Sequence, residues 1–299
     1  MMMQLQAFAK VNLTLDLTGR RADGYHLLRS VMQEISLCDD VSVQIKPSDQ
    51  PQIYLKMNHA DIPQDKTNTC YKAAEAFFKT FDITDYSVKI VVDKKIPSGA
   101  GLGGGSSDAA AVLRALNVLT QKHASEETLE KIGLDVGADV PFFIRGGTQL
   151  AQGIGEQLTP LPLSKIPYFV VIKPHESALT RQIYSEFDRM VASGKITQAD
   201  YTTQKFVQAV SSGEDPYPYI GNMLQPATEY ACYMVKVVCD RLRELGARAC
   251  MTGSGTAVFG LFDGYVQALE VFRQFDLDVQ AKYICVAQNR PQKQSGEKL

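Results

Sequence analysis

A glycine-rich segment that opens directly into a helical pattern is the feature that most restricts how this chain can fold. Residues 97–108 read PSGAGLGGGSSD and follow a compact β-branched run, VKIVV, at 88–92. Glycine adopts positive φ freely and lets the backbone approach a ligand, so several amides can point at one anion. The N-terminus of the following helix adds unsatisfied N–H groups and a positive dipole end. We therefore predict a phosphate-binding loop, in which Ser106 and Ser107 cap the helix or donate hydroxyls to phosphate oxygens.

The glycines alone leave the class of phosphate loop open. A Walker A motif needs a lysine after its last glycine, and none follows Gly104 or Gly105. The GxGxxG pattern of dinucleotide-binding folds requires an acidic residue about 20 positions on, after a second parallel strand. Glu126 and Glu127 lie near that distance but in a helical pattern. A flexible connecting loop is the plain alternative, although each glycine costs about 0.5–1 kcal/mol relative to alanine in regular structure.

Composition excludes several classes of function. The chain has 299 residues, 45% of them hydrophobic, and a formal net charge of −2, so no basic excess attracts nucleic acid or an anionic membrane. No apolar stretch approaches the ~20 residues of a membrane helix, and the start carries no signal-peptide pattern, which predicts a cytoplasmic protein. Six scattered cysteines form no CxxC pair and four histidines show no ligand spacing, so the sequence identifies no metal ligands.

The order of predicted elements indicates an α+β protein with two domains, at residues 1–163 and 164–288, and a polar tail at 289–299 that we expect to be disordered. In the first domain we predict strands at 5–17, 31–37, 41–45, 88–92, 140–144 and 148–151, helices at 67–78 and 126–132, and an Ala/Leu helix directly after the glycine loop. In the second domain we predict strands at 168–172, 248–251, 257–262 and 282–286, and helices at 180–191, 198–210, 225–245 and 265–275. Without the extra helices the second domain is βαββαβ, the order of ferredoxin-like folds.

Three segments together resemble the GHMP kinases. PSGAGLGGGSSDAA at 97–110 resembles their phosphate-binding motif, AFAKVNLTLDLTGRRADGYH at 7–26 an N-terminal motif, and MTGSGTAVFGLF at 251–262 their C-terminal glycine motif. The resemblance covers residues 7 to about 286 and includes GADVPFF at 137–143. It implies an N-terminal domain like ribosomal protein S5 domain 2 and a ferredoxin-like C-terminal domain. ATP would lie on the glycine loop and the alcohol substrate between the domains.

The resemblance assigns catalysis to Lys10 and Asp139. A kinase of this kind needs a carboxylate within hydrogen-bond reach of the attacking hydroxyl, and Asp139 matches that position. Without the resemblance, Asp139 fits equally well as a turn residue before a strand, and Lys10 as a solvated lysine on an edge strand. Lys10 would keep Asp139 ionised and stabilise charge that develops during transfer. Asn12 lies on the same side of a strand as Lys10 and would orient the hydroxyl or Asp139.

The resemblance places a cytosine against the DGYH turn. Tyr25 would stack on the base and His26 would hydrogen-bond its edge. Stacking is worth ~1–3 kcal/mol and tolerates any base, so the histidine must discriminate. Tyr184 corresponds to a second stacking aromatic, although its spacing from Phe187 also fits a helix core residue. Thr180 would contact the substrate.

The resemblance also gives an ATP site with Mg²⁺ of unassigned ligands. Asn68 and Lys94, which would approach the adenine, fit a helix cap and a surface charge equally well. The turn at 252–255 would support the phosphate loop. Leu179, Met223 and Gln225 depart from the family pattern. The expected ATP contacts are Asn68, Lys94, Pro97, Gly99, Gly101, Leu102, Gly103, Gly104, Gly105, Ser106 and Ser107.

These observations predict an ATP-dependent kinase for an alcohol carried on a cytidine diphosphate compound. Its partners would be ATP and that small molecule, with no nucleic acid and no membrane, and the protein would be a monomer or a weak homodimer. Two alternatives stay open: a GHMP kinase of the homoserine or mevalonate type, and a nucleotide-binding regulator without catalysis. The DGYH segment disfavours the first alternative, and the presence of both Lys10 and Asp139 disfavours the second.

Overall fold

The computed structural model describes residues 1–196 and 202–289. The strands are β1 (Met2–Arg20), β2 (His26–Pro47), β3 (Ile53–Met57), β4 (Tyr86–Asp93), β5 (Thr148–Gly153), β6 (Gln157–Pro160), β7 (Tyr168–Lys173), β8 (Gly221–Asn222), β9 (Arg248–Met251), β10 (Val258–Phe262) and β11 (Ala281–Val286). The helices are α1 (Thr69–Thr80), α2 (Gly104–Leu119), α3 (Glu126–Val136), α4 (Val140–Arg145), α5 (Thr180–Ala192), α6 (Thr202–Ser212), α7 (Gln225–Ala231), α8 (Tyr233–Glu244) and α9 (Tyr265–Gln274), with a 3-10 turn at Tyr217–Tyr219.

The first sheet has the order β3-β4-β2-β1-β8, with β5 paired to β2 and β6 to β5. Its two long strands, β1 and β2, form an antiparallel hairpin whose register shifts between Phe8 and Ala9, between Asn12 and Thr14, and between Leu17 and Gly19. Such bulges bend a strand and increase its twist. Alternate residues of β4 pack against the alanine-rich faces of α1 and α2, which form one buried core with the sheet.

The second sheet has the antiparallel order β11-β7-β10-β9. Along the chain its strands run β7, β9, β10, β11, with α5 to α8 between β7 and β9 and α9 between β10 and β11. This is the βαββαβ order that the sequence predicts. Val170 and Ile172 of β7 pack against Val235, Val238 and Leu242 of α8 in the core of this half.

A third core joins the two sheets and positions the site. Ala9, Val11 and Leu13 of β1 pack with Phe169 and Phe259 of the second sheet. The short strand β8, from the second half of the sequence, also pairs in parallel with β1. The alternate residues Lys10 and Asn12 of β1 lie on the other face of the strand, where they line a cavity together with Gly253 and Ser254 of the second half. The division at residue 163 falls between β6 and β7 and stays a prediction.

Most predicted elements are observed, with differences that have local causes. The predicted strand at 140–144 is wrong, because these residues form α4. A short run of buried apolar residues does not distinguish strand from helix, and Pro141 fits the first turn of a helix. The single helix predicted at 225–245 is two helices, which Cys232 separates with φ −135° and ψ 89°. The strands predicted at 31–37 and 41–45 are one strand, and the sequence does not predict β3, β6 or the two-residue β8.

Other predictions concern the ends of the described ranges. The helix predicted at 198–210 begins at Thr202, and residues 197–201 lie outside the described residues. The tail predicted to be disordered also lies outside them from residue 290. Among the described residues, no helix has both the length and the apolar character needed to cross a membrane.

Candidate active site

A cavity of about 1070 Å³ lies between the two halves of the molecule. The turn of the β1–β2 hairpin, the glycine loop, the start of α4 and one face of α5 form its walls. Of the residues predicted from the sequence, those lining it are Lys10, Asn12, Tyr25, His26, Gly101, Gly103, Ser106, Asp139, Thr180 and Tyr184. Four charged residues without a role predicted from the sequence also line it: Arg20, Asp23, Arg181 and Asp188.

The glycine loop is held in shape by close backbone contacts. Gly99, Gly101 and Gly103 have φ of +61°, +75° and +73°, and Gly103 is the N-cap of α2. A Cβ on Gly101 would lie 2.3 Å from the Thr252 carbonyl oxygen, so the loop packs directly on the turn at 252–255. The Lys10 N–H donates to the Leu102 carbonyl at 3.0 Å and ties the loop to β1. The loop is therefore clamped between the two halves.

Gly101→Ala is expected to destabilise the protein more than Gly99→Ala, by about 1–3 kcal/mol of unfolding free energy. Both glycines have positive φ, so both variants carry the left-handed strain of about 1–2 kcal/mol. A Cβ on Gly99 meets no atom within 4 Å, whereas one on Gly101 meets the Thr252 carbonyl. Urea unfolding of both variants measures the difference. Equal stabilities would contradict the packing of loop on turn.

Several predicted ATP contacts do not line the cavity. The Ser107 hydroxyl donates to the Phe8 carbonyl at 2.6 Å, and Leu102 is buried in the core between the sheets. Asn68 is the N-cap of α1, where its Oδ1 accepts from the Cys70 N–H at 2.8 Å. The helix-cap interpretation of Asn68 is therefore confirmed. Also outside the lining are Lys94, Pro97, Gly99, Gly104 and Gly105.

Lys94 lies in a buried cluster of three charges behind the glycine loop, so its interpretation as a surface charge is wrong. Its Nζ contacts Asp39 Oδ2 and lies 2.6 Å from Asp108 Oδ2. Asp39 Oδ1 also accepts from the N–H groups of Lys95 and Ile96, just before the loop. Burial raises the pKa of Asp108 to about 7, although the charge of Lys94 opposes the rise. The cluster joins the residues before the loop to the first turns of α2.

The proposed catalytic pair shares the cavity with a fixed asparagine. Lys10 Nζ donates to Asn12 Oδ1, and Asn12 Nδ2 donates to Ser30 Oγ at 2.8 Å. Burial lowers the pKa of Lys10, and the negative charge of Asp139 partly offsets this. Asp139 is the N-cap residue of α4, but its side chain makes no capping hydrogen bond. Its carboxylate is therefore not committed to the role of helix cap.

An aromatic group forms another part of the cavity wall. The His26 and Tyr184 rings lie 4.9 Å apart between centroids, while Tyr25, in the hairpin turn, is 64% exposed. Tyr184 also packs against the core of the second half, which agrees with its interpretation as a helix core residue. Its position on the cavity wall leaves the stacking role a prediction. Burial raises the pKa of its hydroxyl to about 12, and the charge of Asp139 adds to the shift. Asp188 follows Tyr184 by one helical turn, a spacing that could have indicated it from the sequence.

The turn at 252–255 is supported by several side chains, one of which, Gln225, differs from the family pattern. Asn222 Nδ2 donates to the carbonyls of Met251 and Gly253 at 2.9 and 2.8 Å. Gln225 Oε1 accepts from the Met251 N–H at 3.0 Å. The hydroxyls of Thr180 and Ser254 lie 2.8 Å apart and connect this turn to α5. The amide of Gln225 thus holds the strand that leads into the turn.

Comparison with known proteins places this geometry in a family. The GHMP kinases N terminal domain matches residues 68–147, and the GHMP kinases C terminal domain matches residues 208–278. A 4-diphosphocytidyl-2-C-methyl-D-erythritol kinase from Clostridium tetani is 39% identical over 287 residues, which are 94% of this chain and 99% of that protein. The chain belongs to the GHMP kinase family. A kinase of the same name from Clostridium perfringens is 39% identical over 273 residues, 90% of this chain and 92% of that protein.

Solved structures of GHMP kinases have the same fold. The crystal structure of a 4-(cytidine 5'-diphospho)-2C-methyl-D-erythritol kinase superposes with a TM-score of 0.77 at 33% identity, over 96% of this chain and 100% of that one. A homoserine kinase from Cytophaga hutchinsonii superposes with a TM-score of 0.75 at 18% identity, over 96% of each chain. Because the two scores are so close, the fold does not distinguish the acceptor alcohols. The side chains in the cavity must do so.

Proposed function

We propose that this GHMP kinase transfers the γ-phosphoryl group of ATP to the 2-hydroxyl of 4-diphosphocytidyl-2-C-methyl-D-erythritol, a step in non-mevalonate isoprenoid precursor synthesis. One observation carries the proposal. A single cavity is lined by Lys10, Asp139, the glycine loop and the aromatic group of Tyr25, His26 and Tyr184. Relatives that share 35–40% of their residues with nearly the whole chain are named for this reaction.

In the proposed mechanism the chain positions two substrates and stabilises charge. Asp139 accepts the proton of the attacking hydroxyl, while the Lys10 ammonium, held by Asn12, stabilises negative charge that develops during in-line transfer. Lys10 and Asn12 are buried, which strengthens these interactions, because electrostatic forces are less screened there than in water. The loop amides around Gly101 and Gly103 hold the ATP phosphates.

Magnesium enters this proposal as part of MgATP. The ion commonly binds through substrate phosphates with one or two carboxylates, and it neutralises charge on the phosphates. Within residues 1–196 and 202–289, there is no group of three or more His, Cys, Asp or Glu side chains that could hold a metal ion.

The finer assignments of fold and setting are also proposals. We assign the first half to the ribosomal protein S5 domain 2-like class and the second half to the ferredoxin-like class, which the strand order β11-β7-β10-β9 supports. We propose a cytoplasmic enzyme that is a monomer or a weak homodimer. All six cysteines lie in the described residues as free thiols, which suits a reducing compartment.

A panel of acceptor alcohols tests the proposed function. ATP consumption would be followed with 4-diphosphocytidyl-2-C-methyl-D-erythritol, homoserine and mevalonate, and without any acceptor. We expect turnover with the cytidine compound alone, and a product whose new phosphate is bonded to the 2-oxygen in a phosphorus NMR spectrum. Preferred turnover of homoserine or mevalonate would replace the proposal by the second kinase hypothesis. ATP binding without transfer to any acceptor would favour the regulator hypothesis.

A further inference from the structure

A hydrogen bond between the two halves fixes one histidine of the cavity. His26 Nε2 lies 2.7 Å from Asp188 Oδ1, and the two residues are separated by 162 positions in the sequence. Arg20 also reaches this carboxylate, with 3.5 Å between its guanidinium and Asp188 Oδ2. The His26 ring packs against Tyr184 at 4.9 Å and edge-on against Phe187 at 6.5 Å. The hydrogen bond and the ring contacts together hold the imidazole in one orientation.

The hydrogen bond also determines where the imidazole carries its proton. An ionised carboxylate only accepts hydrogen bonds, so Nε2 of a neutral His26 must carry the hydrogen. Nδ1 is then an acceptor, and it makes no hydrogen bond to the described part of the chain. His26 lines the cavity with Asp188, so Nδ1 is the ring atom left for a ligand. As an acceptor, Nδ1 can form a hydrogen bond with an amino group but repels a carbonyl oxygen.

We propose that Asp188 is a positioning residue that holds His26 in the Nε2–H tautomer and so makes the site prefer a base with an exocyclic amine. The inference rests on the proposed function, because it explains how cytosine is distinguished from uracil. These two pyrimidines differ in carrying an amine or a carbonyl at the same ring position. Stacking on Tyr25 and Tyr184 cannot separate them, since either base offers a π face. The discrimination must come from hydrogen bonds at the edge of the base.

The charges around the pair are consistent with this role. Arg20 and His26 share the Asp188 carboxylate, so its negative charge is divided between a guanidinium and an imidazole. Arg20 is held in place because its Nε donates to the Gly24 carbonyl at 3.0 Å. The hairpin turn that carries Tyr25 is thereby tied to α5 through the same carboxylate. Removing Asp188 would take away the hydrogen-bond partner of His26 Nε2 and the carboxylate that faces Arg20.

The test compares the cytidine substrate with its uridine analogue. The ratio of kcat/KM for the two compounds would be measured in wild type, Asp188→Ala and Asp188→Asn. We expect Asp188→Ala to lower the preference for the cytidine compound by about tenfold or more, mainly through KM, with KM for ATP unchanged. Asp188→Asn should restore most of the preference, because its amide oxygen still accepts from Nε2–H.

Controls separate this inference from structural effects and from the proposed function. Glu186 lies on the same helix, but its carboxylate pairs with Arg189. The ratio of kcat/KM values in Glu186→Gln should therefore stay at the wild-type value. An unchanged ratio in Asp188→Ala, or an Asp188→Asn variant as impaired as Asp188→Ala, would overturn the inference. Failure of the wild type to phosphorylate the cytidine compound would overturn the proposed function instead.

A measurement on the wild-type protein does not depend on any variant folding. Nitrogen-15 NMR of labelled histidine distinguishes the two neutral tautomers and the imidazolium, and the chain has four histidines to assign. His26→Asn identifies the His26 signals by their loss. We expect the Nε2–H tautomer at pH 8 without ligand. An Nδ1–H tautomer or an imidazolium at that pH would overturn the inference.

Discussion

Asp139→Asn is expected to lower kcat by about 10²- to 10⁴-fold, the usual contribution of general acid–base catalysis. Asparagine has nearly the same shape as aspartate but cannot take the proton of the attacking hydroxyl. It also removes the negative charge that acts on Lys10. Single-turnover kinetics with the cytidine substrate would measure the effect, with ATP binding followed separately. We expect ATP affinity to change little, because we propose that the glycine loop and not Asp139 holds the phosphates.

Asp135→Asn is the matched control for this experiment. Asp135 is an exposed residue in the last turn of α3, four positions before Asp139, and it does not line the cavity. Its replacement should leave kcat unchanged. Wild-type turnover in a correctly folded Asp139→Asn variant would remove Asp139 from the mechanism. Equal losses in both variants would show that the effect is not specific to the cavity.

The parts of the site that the sequence reveals are those with local causes. The glycine loop and helix α2 follow from consecutive residues, because positive φ at Gly99, Gly101 and Gly103 is a property of each glycine itself. The closeness of the Lys10 and Asn12 side chains follows from the geometry of a strand, in which residues two positions apart face the same side. The βαββαβ order likewise follows from the succession of short apolar patterns, since each pattern indicates one element.

The parts that the sequence hides depend on contacts between distant residues. Asp188 meets His26 across 162 positions, and Asp39 meets Lys94 across 55. No periodicity indicates such pairs, because the topology of the sheets decides them. The strand predicted at 140–144 is wrong because all five residues are buried, so the sequence shows no polar face that would indicate a helix. The catalytic role proposed for Asp139 rests on the resemblance, because its local pattern does not distinguish catalysis from a turn.

Lys94→Met is expected to lower the free energy of unfolding by about 3–5 kcal/mol, the usual cost of removing one partner from a buried ion pair. Methionine keeps most of the side-chain length but leaves Asp39 and Asp108 facing each other without a cation. These two carboxylates flank the glycine loop, so we also expect KM for ATP to rise. Urea unfolding and ATP titration would measure the two effects.

The adjacent lysine provides the control. Lys95 pairs with Asp40 on the surface, where both side chains are about half exposed. Lys95→Met should therefore leave the unfolding free energy nearly unchanged, because exposed ion pairs contribute little. The double variant Lys94→Met with Asp108→Asn should recover part of the lost stability, since it removes one uncompensated charge. A Lys94→Met protein as stable as Lys95→Met would show that the buried cluster contributes nothing.

The pH dependence of the Lys94→Met defect separates lost charge from lost packing. Burial raises the pKa of Asp108 to about 7 even beside Lys94, so removing the lysine must raise this pKa further. A carboxyl group with a raised folded-state pKa binds its proton more tightly in the folded state, so stability falls as pH rises above the unfolded value near 3.9. The defect should therefore be larger at pH 8 than at pH 5, where Asp108 is protonated. A defect of equal size at both pH values would mean that Lys94 stabilises the loop through its hydrocarbon stem, because packing does not titrate.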